Sequence, residues 1–355
     1  MKQVHTNMWT MMTRLNVSLL AVLAVCLVLQ GCSRAASEAH TVGFSITESG
    51  DTTIVTVASP WKAGTTMARY ALTTPYQRIA CTSATHVGFL RELGLTDRLV
   101  GVCVPDRIYN LTDGQRASIA DLGDDMKPNL EAILLAQPDA IVVSTYGEGD
   151  ATVAQIASLG IPVIYCNEWT ETTPLARAEW IRFFGACFGC QQRADSIFRA
   201  VTTVYNQIAL KGGSTGVSIM SGQSFRGSWY VPAGGTFMGK LFRDAGADYC
   251  YADNPSTSSL PLTFEQALQS FSTADVWVGC SARSMEELAA IDEKHAWFEA
   301  YKNHRVYNFY HRTLPSGAND FWETGVVHPE LILQDLQAIL ANDTTTPLYF
   351  SEQLQ

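Results

Sequence analysis

One stretch leaves this chain few ways to fold. Between Gln191 and Lys211 the apolar residues Ala194, Ile197, Phe198, Val201, Val204, Tyr205 and Ile208 recur at steps of three, one, three, three, one and three. That spacing gathers them on one face of an α-helix, with Arg193, Asp195, Arg199, Thr202 and Gln207 on the other. The Gly212–Gly213 pair stops it. At 1.5 Å per residue the rod is roughly 30 Å long, about the width of a small domain.

Similar sequences flank the rod. Upstream, Leu90-Arg91-Glu92-Leu93-Gly94 is followed by Leu130-Glu131-Ala132-Ile133-Leu134 and then by Pro138-Asp139-Ala140-Ile141-Val142-Val143. Downstream, Phe242-Arg243-Asp244-Ala245-Gly246 is followed by Phe264-Glu265-Gln266-Ala267-Leu268 and then by Ala274-Asp275-Val276-Trp277-Val278. Each side offers a helix ending at Gly, a helix with an early Glu, and a buried strand opened by Asp. The expected fold is α/β: two similar lobes with mainly parallel sheets, joined by one long helix.

The first 31 residues are read as a signal, not as fold. Lys2 and Arg14 precede an apolar run from Leu15 to Leu29, and Leu29-Gln30-Gly31-Cys32 follows. A basic start, a short apolar core and a small residue before the cleavage point describe export. A Cys directly after that Gly is a lipobox, making Cys32 the lipidated first residue of the mature chain. The run is shorter than the ~20 residues a bilayer span needs. Setting residues 1–31 aside takes the formal charge from −10 to −12, because Lys2 and Arg14 are their only charged groups. So acidic a surface disfavours nucleic acid as a partner. The remaining cysteines (Cys81, Cys103, Cys166, Cys187, Cys190, Cys250 and Cys280) are odd in number, show no disulfide framework, and read as small buried residues. Cys187-Phe188-Gly189-Cys190 is a lone CxxC without the second pair a zinc site needs.

In chain order, residues 32–77 comprise a tether and an N-terminal β-hairpin, with a further strand at Tyr70–Leu72. Residues 78–190 form the first lobe, 191–211 the connecting helix and 212–355 the second lobe. Strands are expected at Arg78–Cys81, Leu99–Val104, Ala140–Ser144 and Pro162–Tyr165, then at Val217–Met220, Ser228–Val231, Val276–Gly279 and Arg305–Phe309.

Four segments in order, from Arg78 to Val102, Asn129 to Val143, Trp229 to Tyr249 and Pro329 to Ile339, resemble the substrate-binding lipoproteins of ABC importers for iron chelates, haem and vitamin B12. The resemblance covers nearly everything after about residue 70. It implies two lobes bridged by a helix with a ligand cleft between them, a lipid anchor on the periplasmic side of a membrane in the cell envelope, and permease and ATPase subunits as partners. It also implies that one surface Glu per lobe docks on the permease; Glu131 and Glu265 hold the matching positions. Each alone is also what a helix N-terminus favours by roughly 0.3–1 kcal/mol.

Ligands of such clefts are held by the loops at strand ends. Those loops carry His86, Tyr146, Trp169, Arg226, Trp229, Tyr230, Tyr310, Arg312 and Trp322 as candidate ligand-binding residues. Their flat rings suit a macrocycle or chelate, although core packing is the competing fate of each Trp. His86, His311 and Tyr310 could ligate a metal, but a lone His is more often a hydrogen-bonded bystander, so no metal site is assigned. No resident cofactor and no catalytic residue is expected. Gly234-Gly235-Thr236-Phe237-Met238-Gly239-Lys240 satisfies GxxxxGK, yet Leu241 follows where a hydroxyl would hold magnesium. Gly222-Gln223-Ser224-Phe225-Arg226 lacks the last Gly of a nucleophile elbow. The expected role is capture of an iron(III) chelate, siderophore or haem, and its delivery to a permease. A corrinoid is the alternative cargo, and a bare transition-metal ion a more distant one.

Overall fold

The structure, a computed structural model, describes residues 41–355. The signal segment, the tether and Cys32 lie outside the described residues. Among the described residues, no helix is long and apolar enough to cross a membrane.

The chain opens with an antiparallel meander of β1 (Phe44–Ser49), β2 (Thr52–Ala58) and β3 (Thr66–Leu72). The strand expected at Tyr70–Leu72 therefore begins four residues earlier, and the hairpin is a three-stranded sheet. Alternation puts Val55, Val57 and Leu72 inside. The Phe44 ring sits 5.1 Å from Trp180 and 5.7 Å from Phe183, which seats the meander on the Pro174–Phe188 helix.

The first lobe is a wholly parallel sheet of β4 (Ile79–Cys81), β5 (Leu99–Val102), β6 (Ala120–Asp121), β7 (Ala140–Val143) and β8 (Val163–Tyr165), in the order β6-β5-β4-β7-β8. The direction of winding reverses between β4 and β7. In open α/β sheets the crevice beyond the carboxyl ends of such strands is where ligands bind. Both faces are covered, so β7 reads Ala-Ile-Val-Val and is buried throughout.

In the second lobe β9 (Ile219–Ser221), β13 (Val276–Val278) and β14 (Val306–Asn308) run parallel, and the tail adds an antiparallel edge, β15 (Glu352–Gln353). The strand expected at Ser228–Val231 belongs elsewhere: β11 (Ser228–Pro232) pairs with β10 (Ser224–Phe225) and β12 (Ser259–Leu262) in a separate antiparallel ribbon. Its hairpin turn has two residues, Arg226 and Gly227, both at positive φ (52° and 84°), as the twist of a tight hairpin demands.

The connecting helix spans Gln191–Lys211 and buries Ala194, Phe198, Val201 and Tyr205, a narrower stripe than the sequence predicts, since Val204 is exposed. Gly212 ends it for a reason other than a left-handed cap, because its φ is −78°. A Cβ there would lie 2.7 Å from the Asp244 carbonyl oxygen, so Gly212 admits a close backbone neighbour. The helix is not the sole link between lobes. One continuous apolar core runs from the meander through Phe183 and Phe184 to Phe242 and Leu333. Across the seam, Thr85 Oγ1 donates to the Trp322 carbonyl (2.9 Å), Asn110 N–H donates to Glu323 (3.0 Å), and the Arg177 guanidinium lies 4.5 Å from the centre of the Phe237 ring.

Candidate functional site

Two cavities open along the seam between the lobes. One, of about 840 Å³, lies between the meander, the loop after β8 and the second lobe; Trp61, Trp169, Thr236, Phe237 and Met238 are among its walls. The other, of about 740 Å³, lies beyond β4 and β5 and is faced by Thr82, Ser83, Arg107 and Asp125 from the first lobe and Tyr310 and Trp322 from the second. Each falls within the range of small-molecule sites. A smaller recess of about 80 Å³ adjoins Thr82, Ser144 and Tyr146.

An aromatic wall follows the first-lobe side. Trp61 and Trp169 have ring centroids 5.8 Å apart, and Tyr146 and Trp169 are 5.6 Å apart. Trp169 and Tyr146 are 39% and 55% exposed, so their faces are open to a guest. The wall is held from behind. Trp61 Nε1 donates to Thr145 Oγ1 (3.3 Å), and Asn167 Oδ1 accepts from Thr145 N–H (2.8 Å). Burial, with Asp125 next in effect, raises the Tyr146 phenol. Burial also raises Tyr310, against the opposing Arg283 guanidinium. Both therefore meet a ligand as neutral hydroxyls.

Charge is sparse here. Among the described residues, Glu171 is the only charged one lining the larger cavity, and it is occupied by Trp180 Nε1 (2.9 Å) and Gly43 N–H (3.2 Å). Arg107 faces Asp124 and Asp125 in the other.

The structure brings Tyr146, Trp169, Tyr310 and Trp322 to these spaces and takes other expected residues away. Trp229 is 1% exposed, its Nε1 donates to the Ser221 carbonyl (2.9 Å), and its ring packs on Trp277 and Phe298. It is a core residue, not a cleft residue. Tyr230, the next residue of β11, points the opposite way and is half exposed, while Arg226 caps the exposed hairpin turn against Phe225; neither lines a cavity described above. Arg312 is committed elsewhere: its Nε pairs with Asp320 (2.6 Å), and its guanidinium lies between the Tyr109 and Tyr349 rings. His86 is fully buried below the floor of the cleft. Trp61 and Phe237 are the walls that sequence reasoning missed. Trp61 sits in a loop read as part of the N-terminal hairpin region, and Phe237 in a glycine-rich segment that reads as a failed phosphate loop and as part of the family resemblance, not as a cleft wall.

Glu131 and Glu265 occupy equivalent places. Each is exposed and second in its helix, after the caps Asn129 and Thr263. Asn129 Oδ1 accepts from Glu131 N–H (3.0 Å), and Thr263 Oγ1 accepts from Gln266 N–H (3.2 Å). The Glu265 carboxyl is lowered by its own backbone N–H and then by the Thr263 hydroxyl.

Comparison with known proteins agrees with this geometry. Residues 79–312 match the family model described as periplasmic binding protein. The chain belongs to the periplasmic binding protein family. Two uncharacterized lipoproteins of Methanocaldococcus jannaschii are similar to it, one 27% identical over 225 residues (62% of this chain, 52% of the relative) and one 25% identical over 236 residues (60% and 58%). The chain thus spans somewhat more than half the length of the curated relatives it matches. Among solved structures of the same fold are the periplasmic haem-binding protein of Vibrio cholerae (TM-score 0.58, 18% identity, 72% of this chain and 98% of that one) and the vitamin B12-binding protein of the same organism (0.54, 18%, 77% and 99%). A siderophore-binding protein with two acinetobactin molecules and ferric iron is a third (0.57, 17%, 80% and 98%). These likenesses establish the two-lobed fold of this periplasmic binding protein.

Proposed function

We propose that this protein is the receptor of an ABC importer, capturing a bulky metal chelate between its lobes and handing it to a membrane permease and its ATPase. The observation that carries the reading is the Trp61–Trp169–Tyr146 wall: Trp61 and Trp169 line the interlobe cavity of about 840 Å³, and Tyr146 borders the smaller recess beside them. Ring faces and volume suit a flat or bulky apolar cargo, and three neighbours in fold are described as binding haem, vitamin B12 and a ferric siderophore. Capture involves no bond chemistry. Cys32 anchors the chain by lipid at the envelope membrane, a placement supported by two relatives described as lipoproteins.

The cargo is an iron(III) siderophore or haem. The walls also give specific support to a second reading, a corrinoid. Among the described residues, the larger cavity has no cationic lining residue, which disfavours a chelate of high negative charge. Visible absorbance of the purified protein titrated with haem, ferric siderophores and cobalamin separates the two. One class should shift its band and saturate at one equivalent; no response to any of the three would overturn the reading.

A further inference from the structure

Beneath the cleft floor, three groups of different chemistry converge. A ring nitrogen of His86, the Cys166 thiol and a carboxylate oxygen of Glu168 all lie within 4.8 Å of one another. They come from the helix after β4 and the segment just after β8, at the carboxyl edge of the first-lobe sheet. His86 and Cys166 are wholly buried and Glu168 is 3% exposed. We propose that His86, Cys166 and Glu168 form a resident site for a borderline divalent metal ion of the zinc class.

The donor set is the first argument. Imidazole, thiolate and carboxylate are the three side chains zinc takes, at about 2.0–2.3 Å, so donors on one ion stand about 3.3–3.8 Å apart. From a spread of up to 4.8 Å, the donors draw in by about 1–1.5 Å on binding. The second argument is the support behind the imidazole. Nε2 of His86 lies 3.2 Å from Ser144 Oγ, and the other polar groups acting on the buried ring are the backbone groups of Cys166 and Val142. A metal-bound imidazole commonly has its other nitrogen hydrogen-bonded in this way.

The third argument is the division of labour at Glu168. Oε1 faces Arg177 (3.3 Å), while Oε2 faces the Cys166 sulfur (3.5 Å). One oxygen is thus free of the ion pair and directed at the other donor. Without metal, the Glu168–Arg177 pair is neutral and the thiol keeps its proton. On binding, the S–H bond breaks, the proton leaves to solvent, the S–metal bond forms, and the metal keeps its oxidation state. Asn167 and Trp169, flanking Glu168, line the 840 Å³ cavity, so the ion sits one residue behind the cargo wall. All three ligands belong to one lobe, so this site is separate from the cargo seat and independent of which cargo is carried.

The test uses the full chain, reduced and stripped by chelator, titrated with Co(II) in the absence of any cargo. A thiolate-to-cobalt band in the near ultraviolet should saturate at one equivalent and be erased by Zn(II). Cys166→Ser should abolish the band, His86→Ala, which removes a ligand outright, should weaken binding by more than the roughly 10–100-fold that loss of an outer-shell partner costs, and Cys280→Ser, at a buried thiol of the second lobe, should leave it intact. No sulfur band in wild type, or a band that survives Cys166→Ser, would overturn the proposal. Should the buried variants fold poorly, X-ray absorption of the zinc-loaded wild type decides: one sulfur at about 2.3 Å supports the site, and a shell of nitrogen and oxygen alone rejects it.

Discussion

Side chains that stand one residue apart have opposite fates here, and that is where the sequence is least legible. Trp229 and Tyr230 both read as cleft aromatics. A strand must send one to each face, and pairing in the β10–β12 ribbon sends Trp229 into the core. Nothing in the local sequence says which face is inner, because that depends on β12, a Ser-Leu-Pro-Leu segment whose Pro and short length argue against a strand. Single residues also set how near the lobes come. A Cβ on Gly88, within the Ala84–Glu92 helix, would lie 2.6 Å from the Glu323 carbonyl oxygen of the second lobe. Gly88→Ala should therefore push the lobes apart and cost about 1–3 kcal/mol, as overpacking does. Urea unfolding measures it; a variant as stable as wild type would show that the seam yields freely.

Elements were more legible than residues. The apolar steps of Gln191–Lys211 gave its helix with matching bounds, and the Pro329–Leu340 helix follows equally from a Pro at its first position and a clear apolar face. The Asp113–Ser118 and Ala151–Ala157 helices are not legible in the sequence, since six or seven residues carry little periodicity; the equally short Leu130–Ala136 helix is legible only because it echoes the Phe264–Phe271 helix of the other lobe. Equivalence of the Leu130–Ala136 and Phe264–Phe271 helices, each with an exposed Glu in second place, motivates a delivery test. Glu131→Lys combined with Glu265→Lys should abolish uptake through the cognate permease while leaving cargo affinity unchanged. Undiminished transport would reject the docking role.

The seam between elements should also respond to pH. Burial raises the Glu323 carboxyl to about 7, against N–H donors from Tyr109 and Asn110. Between about pH 4.5 and 7 the native protein holds a proton that the unfolded chain has released, so stability falls as pH rises through that window. His328 bridges Glu330 (2.7 Å) and Glu92 (3.3 Å); burial opposes its charge, but the two carboxylates prevail and raise it to about 9. Its contribution is complete below about 6.5 and lost as pH rises through 9. Melting temperatures should show a decline from pH 6.5 to 9 that disappears in His328→Ala. An identical slope in the variant would assign the decline to other groups.

At the scale of the molecule, repetition on either side of the rod revealed two lobes, because helix–strand alternation is a property of sequence order. It did not reveal that the lobes share one core and meet directly, with the connecting helix packed along the seam rather than holding them apart. Nor did it reveal that the meander supplies a wall of the larger cavity, since Trp61 reaches Trp169 only through folding across more than 100 residues. The central claim is that this wall seats a metal chelate. Equilibrium titration of the best-binding member of the haem, siderophore and cobalamin panel, against wild type and the Trp61→Ala/Trp169→Ala double variant, addresses it most directly. One-to-one binding by wild type and a loss of about tenfold or more in the variant, from two forfeited ring contacts, is the predicted result. Equal affinity in the two proteins would place the cargo elsewhere and contradict the account.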